Sequence, residues 1–240
     1  MLSKTSWYYL SRDLRYVFRR LFKKSVVLNG VKVPIDSDAT KKIKHHLFLD
    51  SYERHERDVL SQTIEPGETI LEIGAGIGLI TCVAANLAGR EGEIHTYEVN
   101  PKLIDSIKKN LEFNGLSAEI KNAFIGGSEG ERELFLAEQF ETTGAYHSQG
   151  DGESVTVKQE NFNEIAVTLK PTYLILDIEG SETELGSYIC AAESIKKICV
   201  EMHPHKVGDA AISSLIGELI GAGFNYSIDI SSERVLYFYR

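Results

Sequence analysis

Three closely spaced glycines constrain the fold of this chain more than any other feature of its sequence. The run LEIGAGIG (71–78) continues the apolar segment TILEI and leads into residues 78–88, which have the apolar spacing of a helix. Because glycine has no Cβ, Gly74, Gly76 and Gly78 permit a tight turn and a close approach of the backbone to a ligand. A strand, a glycine turn and a helix in this order are typical of α/β proteins that bind nucleotide cofactors.

Strand-like and helix-like segments alternate through most of the chain. The segment TYLILD (172–177) is almost continuously apolar, which suits a central parallel strand covered on both faces. The last two strand-like segments, FNYSIDI and RVLYFYR, are separated by a short turn and predict an antiparallel hairpin. We therefore predict an α/β fold, a Rossmann-like doubly wound seven-stranded sheet with an antiparallel C-terminal hairpin. The other predicted strands are 69–73, 93–98, 118–124, 133–137 and 197–202, and the predicted helices are 78–88, 101–113, 182–192 and 209–222.

The first 65 residues have a different pattern and are predicted to form an N-terminal extension of the α/β domain, which spans 66–240. Residues 7–24 have the spacing of a basic amphipathic helix, and Asn29-Gly30 is a strong hairpin signal. A further helix is expected over 50–63.

Charge is unevenly distributed along the 240 residues. The net charge is −9, yet residues 1–24 hold seven basic and one acidic side chain, a net of +6 that leaves −15 on the rest. An acidic body disfavours nucleic acid as a partner, because phosphate contacts need a basic face. The amphipathic helix could lie in a membrane interface, or pack on the core or on a second copy in a homo-oligomer, and the sequence leaves these alternatives open.

Composition also bounds the location. No apolar run approaches the roughly 20 residues of a membrane-spanning helix, and the N-terminus lacks the apolar stretch of a secretory signal. The three cysteines form no CxxC pair. We predict a cytoplasmic protein, with peripheral attachment to the inner face of the membrane through residues 7–24 as a further option.

The residues around the glycines indicate which cofactor is bound. In the dinucleotide pattern G-x-G-x-x-G counted from Gly74, the third glycine would fall on Leu79, so that pattern fails. Glu72 would repel a pyrophosphate but suits a cationic ammonium, such as the methionine end of S-adenosylmethionine. Glu98 ends the second strand, where a carboxylate can accept hydrogen bonds from ribose hydroxyls.

Several motifs between residues 50 and 205 together resemble the FkbM family of class I S-adenosylmethionine-dependent methyltransferases. They are SYERHE (51–56), LEIGAGIG (71–78), YEVNP (97–101), NLEFNGL (110–116), NAFIGG (122–127), ILDIEGSE (175–182) and VEMHP (200–204). Glu72 and Gly76 occur where that family usually has Asp and Asn. The resemblance implies a methyltransferase acting on a sugar hydroxyl in glycan or polysaccharide biosynthesis. It also implies cofactor contacts at Glu72, Gly74, Ala75, Gly76, Gly78, Glu98, Asn122, Ala123 and Asp177.

Acidic residues and a histidine follow two neighbouring predicted strands. Asp177, Glu179 and Glu182 follow TYLIL, and His203 follows the next strand. Because the carboxyl ends of parallel strands meet at one edge, we predict that these four residues form the catalytic group, with Asp177 or His203 as the base. The acids could instead cap the helix that follows, or bind a divalent metal together with the histidine. The sequence allows a metal but does not require one.

Residues outside this group are weaker candidates for contacts with the acceptor. Tyr52 and Glu56 precede the glycine loop, and Tyr146 and His147 lie in a polar loop (140–153) that could cover the site. A small molecule or a glycan is the expected acceptor. Methylation of a lipid or polyketide hydroxyl, and a noncatalytic nucleoside-binding protein that docks on membranes, remain alternatives.

Overall fold

The computed structural model describes residues 25–35, 41–137 and 152–240. The predicted helix 7–24, with its membrane or packing role, and the loop residues Tyr146 and His147 lie outside the described residues. Within the described ranges, no helix combines the length and the apolar character needed to cross a membrane.

A seven-stranded sheet forms the centre of the molecule. Its strands are β3 (Thr69–Ile73), β4 (Glu93–Tyr97), β5 (Glu119–Lys121), β9 (Tyr173–Leu176), β10 (Lys197–Glu201), β11 (Asn225–Tyr226) and β12 (Val235–Tyr239). Their order is β11-β12-β10-β9-β3-β4-β5, with parallel pairing from β10 to β5 and antiparallel pairing for the two last strands. This order confirms the predicted doubly wound sheet and its C-terminal hairpin.

Helices cover both faces of this sheet, and each face has its own apolar core. One core joins Ile70 and Ile175 to Leu79 and Ile107, and the other joins Leu71 and Leu174 to helical residues that follow β9. Alternate residues of β3 thus point to opposite cores, as the period of a strand requires. The helices are α1 (Lys41–Leu49), α2 (Arg54–Thr63), α3 (Leu79–Ala88), α4 (Pro101–Asn114), α5 (Phe162–Leu169), α6 (Glu182–Ala191), α7 (Pro204–Val207) and α8 (Asp209–Gly221).

The register of the three central strands aligns their carboxyl ends. Ile73 of β3 pairs with Leu176 of β9, which in turn pairs with Val200 of β10. The residues that follow, including Gly74 and Asp177, therefore begin at the same level above the sheet. This edge is where open α/β sheets hold their ligands.

The N-terminal segment packs directly against the sheet domain. The hairpin of β1 (Ser25–Leu28) and β2 (Val31–Pro34) turns at Asn29 and Gly30, whose φ angles are 45° and 83°. Val26, Leu28, Val31 and Val33 of the hairpin are buried in the core that contains Leu79. The buried Arg57 of α2 donates hydrogen bonds to Asn29 Oδ1, to Asp50 Oδ1 (3.1 Å) and to the Tyr52 carbonyl oxygen (3.0 Å).

The structure differs from the expected elements in several places, among them the helices α5 and α7, which were not predicted. The helix expected over 50–63 is α2, which begins only at Arg54, and the preceding helix α1 (Lys41–Leu49) was not predicted. Between them the chain bends at Asp50 and Glu53, whose φ angles are 61° and 47°. A second sheet was not predicted, and it consists of β6 (Phe124–Gly126), β7 (Gly130–Ala137) and β8 (Gly152–Asn161). Its order is β6-β8-β7.

Candidate cofactor pocket and acidic cluster

The glycine loop brings the end of β3 against the end of β9. Gly74 has a φ of 92°, and a Cβ at this position would lie 1.7 Å from the carbonyl oxygen of Asp177. Gly78 has a φ of 83°, and its Cβ would lie 2.9 Å from Ile107 Cα of α4. Both positions combine a left-handed backbone with a close neighbour, so side chains are excluded there.

Glu98 holds the loop from the neighbouring strand. Its Oε2 accepts a hydrogen bond from the Gly76 N–H at 2.8 Å, and its Oε1 accepts one from the Asn100 N–H at 2.7 Å. Burial raises the pKa of Glu98 to about 7, although the backbone N–H groups oppose the shift. Each carboxylate oxygen can accept a second hydrogen bond, so Glu98 retains acceptor capacity for a ligand hydroxyl.

Glu72 lies beneath the loop and is fully buried. Its Oε2 accepts hydrogen bonds from Thr81 Oγ1 and Thr96 Oγ1, both at 2.6 Å, and its Oε1 has no partner. Burial raises the pKa of Glu72 to about 7, while the two threonine hydroxyls lower it. Glu72 does not line the pocket described next.

A pocket lies above the carboxyl ends of the strands, with about 790 Å³ of empty space when the open solvent at its mouth is included. Seven residues singled out in the sequence line it, namely Tyr52, Gly74, Gly76, Glu98, Ala123, Asp177 and Glu179. Ala75 and Gly78 of the loop, and Glu72 beneath it, do not line the pocket. The Asn122 side chain donates hydrogen bonds to the Glu98 and Val99 carbonyl oxygens, which ties the next loop to β4.

Sequence reasoning missed several residues of this pocket. Glu53 lines it, whereas the predicted contact Glu56 does not. The pKa of Glu53 is raised well above its usual value by burial and by the nearby Glu56. A second set of missed residues is apolar and forms one wall: Val99, Leu103, Phe124, Ile125 and Leu134. The motif NAFIGG predicted a contact at Ala123, but it did not predict that β7 of the second sheet contributes Leu134 to this wall.

The four predicted catalytic residues do come together, and we call them, with Glu56 and Glu201, the acidic cluster. His203 Nδ1 lies 2.9 Å from Glu182 Oε1, and His203 Nε2 lies 3.6 Å from Asp177 Oδ1 and 3.5 Å from Glu179 Oε2. Glu182 Oε1 also accepts hydrogen bonds from the Ile178 and Gly180 N–H groups. His203 and Glu182 are buried behind the pocket, and Asp177 and Glu179 stand between them and the ligand space.

The cluster is strongly acidic. Burial, followed by the charges of Glu201 and Glu179, raises the pKa of Asp177 well above its usual value. Burial and the adjacent Glu201 carboxyl raise the pKa of Glu56 to about 8. Burial lowers the pKa of His203, but its contacts with Glu182 and Glu179 outweigh burial, and the net shift is upward. Lys206 Nζ pairs with Glu179 Oε2 at 2.6 Å.

Comparison with known proteins gives matches to part of the chain. Residues 53–168 match the family model of protein-L-isoaspartate(D-aspartate) O-methyltransferase. The protein-L-isoaspartate O-methyltransferase of Methanococcoides burtonii is 48% identical over 103 residues, which is 43% of this chain and 47% of that protein. The ribosomal protein L11 methyltransferase of Bacillus subtilis is 30% identical over 81 residues, 32% of this chain and 25% of that protein. The chain thus spans less than half the length of these curated relatives.

A solved structure from Clostridium thermocellum, described as a candidate rRNA methylase, has the same fold. It superimposes with a TM-score of 0.50 at 12% identity, covering 76% of this chain and 92% of that one. By these matches the chain is similar to S-adenosylmethionine-dependent methyltransferases, and it shares their fold. Within that class, residues 53–168 are similar to the protein-L-isoaspartate O-methyltransferases.

Two expectations from the sequence are wrong. The FkbM assignment is overturned because the family model and the relative that match are of the protein-L-isoaspartate type. Short motifs around a shared cofactor loop, such as LEIGAGIG, are common to many methyltransferases and did not separate the families. The expectation of a small-molecule or glycan acceptor and no nucleic acid is also overturned, since the matched proteins are named for protein or rRNA methylation.

Proposed function

We propose that this chain transfers the methyl group of S-adenosylmethionine to a side chain of a protein. The observation that carries the proposal is the match of residues 53–168, which contain the glycine loop and Glu98, to a family of protein methyltransferases. The relatives named above support a protein acceptor in two different families.

The pocket has the chemistry that this cofactor needs. Gly74 and Gly76 leave space for the methionine part, Glu98 would accept hydrogen bonds from the ribose, and Ala123 and Phe124 offer an apolar surface to the adenine. Glu72 would not contact the cofactor. It would hold α3 and β4 in place beneath the glycine loop, through its hydrogen bonds with Thr81 and Thr96. When bound, the cofactor supplies an activated methyl group on its sulfonium.

Asp177 and Glu179 would orient the acceptor at the methyl end of the pocket. The family match ends at residue 168, before these acids, so it supports the cofactor half more strongly than the acceptor half. A protein carboxyl is the acceptor that the name of the matched family suggests.

A second candidate acceptor is a protein amine, which the acidic lining favours. Glu53, Asp177 and Glu179 would attract an ammonium group and repel a carboxylate. An amine must lose a proton before it attacks the methyl carbon, and Asp177 or Glu179 would accept that proton.

Methylation assays with radiolabelled S-adenosylmethionine test both candidates. The acceptors are an isoaspartyl peptide, its aspartyl counterpart as the matched control, and ribosomal protein L11. A methyl ester is lost in mild base, whereas a methylamine is stable, so the lability of the label identifies the acceptor atom. Binding of the cofactor without transfer to any protein, including total cellular protein, would contradict the proposal.

A further inference from the structure

We propose that Asp177, Glu182 and His203 form a binding site for a divalent metal ion at the carboxyl ends of β9 and β10. One carboxylate oxygen from each acid and one imidazole nitrogen lie within 4.8 Å of one another. Ligands about 2.0–2.3 Å from a common ion are separated by roughly 3–4.5 Å, so the three atoms need little movement to share one ion. The inference does not depend on which acceptor is methylated.

Unpartnered oxygen atoms inside the cluster provide a second and independent observation. Glu182 is fully buried, and its Oε2 has no hydrogen-bond partner. Asp177 Oδ1 is also buried and without a hydrogen bond, 3.6 Å from His203 Nε2. Burying a carboxylate oxygen without a partner is costly, and a cation bound between these atoms would satisfy them together.

The hydrogen bonds of the cluster leave these oxygens in a suitable position. Glu182 Oε1 is occupied by the N–H groups of Ile178 and Gly180 and by His203 Nδ1, so Oε2 is the oxygen available to an ion. These bonds fix the Glu182 carboxylate and the imidazole ring before any ligand arrives. Side chains held in this way lose little conformational entropy on binding a metal.

The charge balance points the same way. Five carboxyl groups meet here, those of Glu56, Asp177, Glu179, Glu182 and Glu201. Lys206 Nζ lies against Glu179 at 2.6 Å, so its charge is directed to an acid outside the proposed ligand set. A divalent ion would offset the excess negative charge, and it would also reduce the repulsion of a carboxylate acceptor.

The ligand types narrow the choice of ion. Two carboxylates and one imidazole form a mixed oxygen and nitrogen set, which suits Mn²⁺, Fe²⁺ or Zn²⁺ better than Ca²⁺. A second histidine with two glutamates, His95 with Glu93 and Glu119, lies on β4 and β5, and both of its acids are exposed. That group provides a matched control.

Titration with Mn²⁺, followed by loss of the electron paramagnetic resonance signal of the free ion, tests the site. The full chain is first stripped with a chelator, and no cofactor is added. We expect about one bound Mn²⁺ per chain, displaced by Zn²⁺, and an affinity at least about 10-fold weaker in Glu182→Gln and in Asp177→Asn. The control Glu119→Gln should bind as the unmodified chain does.

Circular dichroism checks that each variant is folded, and Asp177→Asn carries the test if Glu182→Gln does not fold. No Mn²⁺ binding by the unmodified chain, or unchanged binding in a folded Asp177→Asn variant, would overturn the inference. Calorimetry with S-adenosylmethionine on the same samples tests the proposed function separately. Failure of the metal site can therefore be distinguished from failure of the proposed function.

Discussion

Gly74 and Asp177 are in direct backbone contact, with space for no Cβ between them: a Cβ on Gly74 would lie 1.7 Å from the Asp177 carbonyl oxygen. The glycine loop therefore packs directly against Asp177 of the acidic cluster, and a substitution at Gly74 should displace Asp177.

The substitution Gly74→Ala tests this contact. We expect it to lower the free energy of unfolding by about 2–5 kcal/mol and to abolish cofactor binding, because backbone strain and the clash add together. Gly115→Ala is the control, since Gly115 also has a positive φ of 64° but nothing within 4 Å of its Cβ position. Urea denaturation and calorimetry measure both effects. Equal destabilisation in the two variants would mean that strain alone, and not the contact, matters.

The substitution Glu98→Ala tests the ribose contact. We expect the affinity for S-adenosylmethionine to fall by about 1–3 kcal/mol, because the ligand hydroxyls and the Gly76 N–H both lose their acceptor. Glu93→Ala, on an exposed side chain of β4, the strand that Glu98 follows, should leave the affinity unchanged. Calorimetry at one fixed pH gives both values, and a folded Glu98→Ala variant with full affinity would remove Glu98 from the site.

The rate of methyl transfer tests the residues proposed to contact the acceptor, whereas cofactor affinity tests those proposed to contact the cofactor. In Asp177→Asn we expect near-normal affinity for S-adenosylmethionine and a rate of methyl transfer at least about 100-fold lower, because the charge that orients or deprotonates the acceptor is lost. The rate is measured at saturating cofactor. If transfer survives in this variant but not in His203→Ala, the essential group is His203.

Stability should depend on pH through Glu72. Its pKa is about 7 in the folded chain, against 4.5 for a glutamate in water, so the folded state binds more protons than the unfolded state between these pH values. Stability from this group is therefore present at low pH and is lost as pH rises from about 4.5 to about 7, by up to about 3 kcal/mol. Glu98, whose pKa is also about 7, adds a change of the same sign.

The variant Glu72→Gln isolates this contribution because it keeps the size of the side chain and cannot ionise. We expect a shallower fall of the unfolding free energy between about pH 5 and pH 7 and a more stable protein at about pH 8, measured by urea denaturation. The exposed Glu91 provides the control Glu91→Gln. An identical pH profile in Glu72→Gln and the unmodified chain would show that Glu72 titrates normally.

Arg57 should anchor the N-terminal hairpin. Replacing it with Met removes hydrogen bonds to Asn29, Asp50 and Tyr52, and we expect a loss of about 2–4 kcal/mol because three acceptors lose a charged donor. Arg54→Met, on the exposed side of the same helix, removes an ion pair with Asp58 and should cost less than about 1 kcal/mol. Thermal and urea denaturation compare the two, and equal losses would contradict the anchoring role.

The sequence predicted those parts of the site that depend on strand ends. Glu98, Asp177 and His203 each follow a strand of a parallel sheet, and parallel order alone brings them to one edge. Glu53 could not be found this way, because it reaches the pocket through a left-handed backbone bend between two helices. The strand β8 was not predicted either. It pairs with the distant β6 as well as with β7, and no local sequence pattern encodes that pairing.

The hydrogen bonds of Arg57 have a consequence for how this chain could be re-engineered. The same guanidinium that holds Asn29 at the hairpin turn also holds the carbonyl of Tyr52, and Tyr52 and Glu53 form a wall of the cofactor pocket. A recombinant version starting at residue 66 would keep every strand of the large sheet yet lose that wall. In chimeras that exchange N-terminal segments between methyltransferases, cofactor affinity should therefore depend on the N-terminal segment as well as on the sheet domain.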